Sequence, residues 1–148
     1  MLTRYVRKVF AFILILPALP AAVYGFEVCT ARNGLYICVE PKGPCELSHL
    51  IATETDKVKM DLFRISILNR SADRISIHPE KFWAVTEAGR LLAMDAPLYE
   101  SIQLRSKLKK TGLAAQEKTE GILFFPSGEG AIKSLIYKGY PYFEITLY

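Results

Sequence analysis

Residues 58–90 read VKMDLFRISILNRSADRISIHPEKFWAVTEAGR, and the spacing of apolar side chains in this stretch decides the fold class. Val58, Met60 and Leu62 alternate with polar residues, the period of a strand with one buried face. Phe63, Ile65 and Ile67 continue the alternation with opposite parity. A one-residue slip sends every later side chain to the other face, so a bulge is expected near Leu62-Phe63 within one long strand. Asn69-Arg70-Ser71-Ala72-Asp73 is built of turn formers. Ile75 and Ile77 give a short strand stopped by Pro79, and Phe82 to Thr86 gives another. Glu87-Ala88-Gly89-Arg90 turns the chain into residues 91–94. Strands joined by such short polar turns imply antiparallel pairing as a meander.

Downstream, residues 95–112 have a different chemistry. Pro97 suits a first helical turn, with Asp95 as its cap. Leu98, Ile102, Leu104 and Leu108 form a partial helical stripe. Lys107, Lys109 and Lys110 would then lie in the last turn, where cations suit the negative end of the helix dipole. Gly112 provides a left-handed stop. The pattern predicts a helical crossover of roughly two to three turns, with the basic run as its exposed end. Three strands follow, at 118–125, 132–137 and 142–148, separated by Gly- and Pro-bearing turns. Short strands so punctuated point to a β-sandwich or barrel.

Upstream lie all three cysteines, Cys29, Cys38 and Cys45. Asn33-Gly34 signals a two-residue type I′ hairpin turn, which needs positive φ at both central positions. A turn there sets Arg32 opposite Leu35, Ala31 opposite Tyr36, Thr30 opposite Ile37, and Cys29 opposite Cys38. The cysteines fall at a non-hydrogen-bonded pair, where side chains approach most closely. In an oxidising compartment a Cys29–Cys38 disulfide follows. Cys45 is then left over, free and buried or used between chains; a Cys38–Cys45 bridge across residues 41–44 is the competing arrangement. The prolines and glycine of 39–56 favour an irregular connector. Cys29, Cys38, Cys45 and His49 also have the ligand order and approximate spacing of a Cys3His zinc site. That metal reading is the alternative to the disulfide, which would consume two of the four ligands.

The first 25 residues read as a signal peptide. Arg4, Arg7 and Lys8 make a basic start, residues 9–16 are an unbroken apolar run, and Val23-Tyr24-Gly25 offers small residues to a peptidase. The apolar stretch falls short of the roughly 20 residues of a spanning helix, and an uncleaved signal anchor is the alternative to a cleaved leader. Cleavage after Gly25 would leave 123 of the 148 residues, enough for one domain. The leader holds three of the 19 Lys and Arg and none of the 15 Asp and Glu, so the remainder carries a net charge of +1. Such a surface gives no electrostatic case for nucleic acid. The reading divides the chain into a signal peptide at 1–25, a hairpin and connector at 26–56, and a β domain at 57–148.

The order VKMDLFRISILNRSADRISIHPEKFWAVTEAGR, then a helical crossover, then EKTEGILFFPSG and IKSLIYKGYPYFEITLY, resembles exported bacterial immunoglobulin-like domains of the telokin-like kind. The features that carry the likeness are the Asn69-Arg70-Ser71 turn after a long strand, the step from Pro79 to Phe82, and Gly121 ahead of an apolar strand. The resemblance covers about residues 57–148 and implies an all-β, immunoglobulin-like antiparallel β-sandwich with one short helical crossover, to which the cysteine-bearing hairpin is added. It implies export, and it brings no catalytic residues with it.

No catalytic constellation stands out. His49 and His78 are isolated from any metal-ligand pair, no serine sits in a G-x-S-x-G setting, and Gly128-Glu129-Gly130 is a turn. Cys45 and His49 are four residues apart, but no third group is visible to orient the imidazole. No enzyme activity and no cofactor are expected. Tyr137, Tyr140, Tyr142 and Tyr148, with Phe143, form an aromatic group of the kind favoured at interfaces, although alternate members of a strand there would pack the core. Trp83 is expected to pack in the core or on a strand face rather than to serve as a ligand platform. The chain is therefore expected to be an exported, non-enzymatic binding or assembly module. Its partner would be another envelope or extracellular protein, met at a sheet edge or at the tyrosines.

Overall fold

The computed structural model describes residues 25–51, 54–102 and 104–148, with the side chains of all of these except 48–51 and 54–56. Along the chain lie β1 (Val28–Arg32), β2 (Leu35–Ile51), β3 (Glu54–Asn69), β4 (Ile75–Ile77), β5 (Phe82–Thr86) and β6 (Leu91–Ala93). The helix α1 (Ala96–Ser101) follows, then β7 (Thr111–Leu113), β8 (Lys118–Pro126), β9 (Ile132–Tyr137) and β10 (Phe143–Thr146). One sheet has the order β1-β2-β3-β8, a second β10-β9-β5-β6, and β4 with β7 makes a small third.

The hairpin forms in the register that the turn chemistry dictates. Asn33 and Gly34 both take positive φ, 50° and 79°, and Arg32↔Leu35 through Cys29↔Cys38 pair in the expected sequence. The described residues of 39–56 are not an irregular connector, because β2 continues to Ile51 and pairs with β3, which begins at Glu54. Residues 28–51 are thus two strands of the sandwich rather than an appendage to it. The ladder tolerates Pro41 and Pro44 because the register shifts between Pro41 and Gly43, and a bulge is where a sheet accepts residues that cannot donate.

The expected bulge in β3 is accordingly on its partner. β3 keeps unbroken register with β8 from Met60↔Pro126 to Leu68↔Lys118, while the shift in β2 falls opposite Phe63 and Leu62. The change of apolar parity has another cause. Phe63, Ile65 and Ile67 face the second sheet, but Leu62 pairs beside Phe124, whose ring is stacked on Tyr99 of α1 at 4.4 Å. This end of β3 is covered on both faces.

The meander is also corrected. β3, β4 and β5 go to three different sheets, and of the strands from β3 to β6 only β5 and β6 form a hairpin with each other. The helix is shorter than its stripe suggested. Asp95 caps it by accepting from Leu98 N at 3.1 Å, Pro97 sits in the first turn, and it ends at Ile102. Gly112 is an extended residue of β7 rather than a helix stop. Lys107 serves the helix end from outside, with Nζ donating to the carbonyls of Tyr99 at 3.0 Å and Glu100 at 3.2 Å. Residues 106–108 run along the open edge of β8, where Leu108 N donates to Ile122 O and Ile122 N to Ser106 O. Gly121 permits this approach, since a β-carbon there would stand 2.6 Å from Leu108 Cα.

Between the sheets lies a ladder of large apolar side chains. Phe82, Tyr137 and Phe143 occupy one rung across β5, β9 and β10, with ring centroids 4.7 and 5.1 Å apart. Phe63 and Phe125 meet edge to face from the other sheet. Full burial of each such side chain is worth about 1.5–3 kcal/mol, and ring pairing adds about 0.5–1.5 kcal/mol per pair.

One buried polar residue organises the turns. Asn69 is 0% exposed. Its side-chain nitrogen donates to Asp73 O at 2.7 Å and to Leu113 O at 3.0 Å, with Ala114 O at 3.2 Å, and its Oδ1 accepts from Ser71 N and Ser71 Oγ. Replacement by Ala leaves Leu113 O and Ser71 N without these partners. Asn69→Ala is expected to lower unfolding stability by roughly 2–4 kcal/mol, and Asn69→Asp to cost more because a carboxylate cannot donate. Chemical denaturation of the three proteins measures this order.

Candidate functional site

The residues singled out in the sequence separate into distinct places. Cys29 and Cys38 are joined by a disulfide, with Cα atoms 4.1 Å apart, so the competing Cys38–Cys45 bridge is not formed. Cys45 is free and exposed rather than buried. It pairs with Met60 while Cys38 pairs with Ser66, which puts the two about 20 Å apart along the sheet. The Cys3His set is therefore not assembled: two of its thiols are in the disulfide and the third is remote. The His49 side chain lies outside the described residues, as do residues 1–24 of the signal peptide expected at 1–25. Glu27 stands beside Cys29 and Cys38, but a disulfide sulfur is no thiolate ligand. On the same outer face Arg64 is paired with Glu120, and that hydrogen bond and charge raise its pKa.

The tyrosines do not share one surface. Tyr137 is fully buried. Its hydroxyl accepts from His78 N at 3.0 Å and donates to Ser76 O at 3.2 Å, which makes it a core residue rather than a contact residue. Tyr140 and Tyr142 are 89% and 50% exposed. They lie at the end of the sandwich that holds the Asn33-Gly34 turn, where Asn33 Nδ2 donates to Tyr142 O at 2.6 Å. Tyr148, also exposed, belongs to the opposite end.

That opposite end carries a cleft of about 480 Å³ lined by Pro41, Pro44, Asp61, Phe63, Ser127 and Tyr148, among others. The bulge in β2 forms one lip and the β8–β9 turn the other. Ser127 Oγ donates to Asp61 Oδ1 at 3.0 Å, and Ser127 N donates to Lys59 O at 3.2 Å. This pair is a turn anchor. A serine hydroxyl bound to a carboxylate lacks the imidazole that would accept and return its proton, and no histidine lines the cleft among the described residues. His78 lies elsewhere, its Nδ1 3.5 Å from Glu80. Sequence reasoning did not foresee the cleft; the prolines flanking Lys42 were its signal. Trp83 packs on a strand face as expected, half-buried with the Lys138 ammonium 3.9 Å above its ring.

Comparison with known proteins adds the fold. No protein-family model and no curated protein matches the chain. Among solved structures it is similar to the yjhA protein from Bacillus subtilis, with 14% identity, a TM-score of 0.52, and 77% of this chain and 78% of that one covered. It is also similar to MPT63, a secreted protein from Mycobacterium tuberculosis, with 9% identity, a TM-score of 0.50, and 78% and 86% covered. The fold is an immunoglobulin-like β-sandwich. At these identities the likeness speaks to architecture only. Among the described residues, no helix is long and apolar enough to cross a membrane.

Two measurements check the site. In the oxidised chain a single thiol, Cys45, should react with an alkylating reagent before and after denaturation, and the other two only after reduction. Alkaline titration should report on the two buried tyrosines, Tyr99 and Tyr137. Burial raises the phenol pKa of Tyr99, with Glu100 adding to it. Burial also raises that of Tyr137, against the lowering effect of the His78 N–H bond. The unfolded chain ionises near pH 10, so this stability is whole below about pH 10 and is lost as pH rises above it. Phenolate absorbance of Tyr99 and Tyr137 should appear only as near-ultraviolet dichroism collapses.

Proposed function

We propose that the chain is an exported, non-enzymatic binding module of the telokin-like kind, making a protein contact in the cell envelope or outside the cell. The observation that carries this reading is the exposed pair Tyr140 and Tyr142, set at the sandwich end beside the disulfide-closed hairpin. Tyrosine offers a large amphipathic contact area with few rotatable bonds. The Asn33–Tyr142 hydrogen bond ties that surface to the hairpin, so little ordering is needed on binding. Export is supported by the leader-like first 25 residues, by a disulfide that needs an oxidising compartment, and by a structural neighbour described as secreted.

A photo-crosslinking side chain placed at position 140 in the producing cell tests the reading. A discrete adduct is expected there, absent when the crosslinker is moved to Leu91 on the far edge, and lost with Tyr142→Ala. Identical adducts from both positions, or none, would refute it. Tyr140→Ala and Tyr142→Ala should each leave unfolding stability within about 0.5 kcal/mol, as exposed substitutions do. Loss of the adduct would then report contact rather than folding.

A further inference from the structure

The run Arg105-Ser106-Lys107-Leu108-Lys109-Lys110 holds four cations and no acid, in a chain whose charge otherwise nearly cancels. In the structure it is not the last turn of a helix: Arg105 and Ser106 lie in a turn, and residues 106–108 are held along β8. Its members have different tasks. Lys107 is occupied with the helix carbonyls, and Leu108 is buried. Arg105, Lys109 and Lys110 are exposed and make no ion pair among the described residues. Lys109 and Lys110 stand at a cleft of about 600 Å³ that also includes Pro79, Met94, Tyr99 and Leu108. Glu80 and Glu100 border it as well, with Glu80 facing His78.

The border is fixed in advance. The Tyr99 hydroxyl donates to Leu108 O at 2.5 Å, with Ile122 O at 3.1 Å, and the segment packs against Gly121. A ligand therefore meets an apolar floor with two unpaired ammonium groups beside it on a backbone already in place, which confines the ordering cost of binding largely to the lysine side chains. We propose that this cleft binds an extended acidic segment of a partner protein, with its carboxylates at Lys109 and Lys110 and apolar side chains against Pro79 and Met94. An extended peptide suits both features, because its side chains alternate in direction with a repeat of about 7 Å. A phosphate or a plain polyanion would use the lysines and leave the floor unfilled. The proposal does not depend on the tyrosine contact, which is elsewhere on the molecule.

The test is fluorescence anisotropy on the chain carrying its Cys29–Cys38 bridge. The probe is a labelled peptide of about eight residues alternating Glu and Leu. Saturable binding is expected, weakening by about tenfold or more in the Lys109→Glu/Lys110→Glu variant and falling as salt is raised. Near-ultraviolet dichroism confirms that the variant is folded, and Lys109→Gln/Lys110→Gln serves if it is not. Binding should be unchanged by Tyr140→Ala/Tyr142→Ala, which separates this site from the tyrosine surface. The proposal is overturned if the peptide does not bind, or if charge reversal leaves its affinity unchanged. Equal affinity for an alternating Glu-Ser peptide or for dextran sulfate would also overturn it, by showing charge attraction without use of the floor.

Discussion

The side-chain amide of Asn69 joins turns that the backbone alone would leave apart. It sits at the end of β3, where the chain leaves the first sheet, and reaches both its own turn at Asp73 and the β7–β8 connection at Leu113 and Ala114. Its backbone adds two bonds to the same connection, from Asn69 N to Glu117 O and from Gln116 N to Asn69 O. A buried amide is costly unless its donors and acceptor are met, and here all are met by groups on the two turns. The chain is thereby directed away from a hairpin with β3 and into β4, which pairs with β7 instead. From there Pro79 and the rung Phe82–Tyr137–Phe143 carry it into the second sheet.

The parts of the fold legible in the sequence are those governed by local chemistry. Asn33-Gly34 admits one turn type, and that turn dictates every pair up to Cys29↔Cys38. The Asp95 cap with Pro97 marks the helix start for the same reason. What could not be read depends on contacts across the chain. The parity change at Leu62-Phe63 looks identical whether a strand bulges or is buried on both faces, and only the stacking of Tyr99 on Phe124 distinguishes the cases. The six-residue helix ends where its stripe would continue because Leu108 is needed at the edge of β8. The meander reading missed the fact that Asn69 bonds to residues about 45 positions away.

The candidate surfaces show the same division. Tyr137 and Tyr140 are three positions apart and indistinguishable by composition, yet one pairs with Phe82 and Phe143 within the core while the other is almost fully exposed. Strand pairing, which a single sequence does not reveal, decides between them. Likewise Cys29, Cys38 and Cys45 look like one ligand set along the chain. Antiparallel geometry bonds the first two and carries the third along β2, past the bulge. The basic run at 105–110 changes meaning for a related reason. Held beside β8 at residues 106–108, it places Lys107 at the helix end, Leu108 in the interior, and Lys109 and Lys110 at the cleft.

Amide hydrogen exchange followed residue by residue tests the organising role of Asn69 most directly. The account predicts that the N–H groups of Asn69, Ser71 and Gln116, although two of them lie in turns, exchange as slowly as those of the central strands β3 and β9. Exchange at Ser71 and Gln116 as fast as at the β8–β9 turn would contradict it.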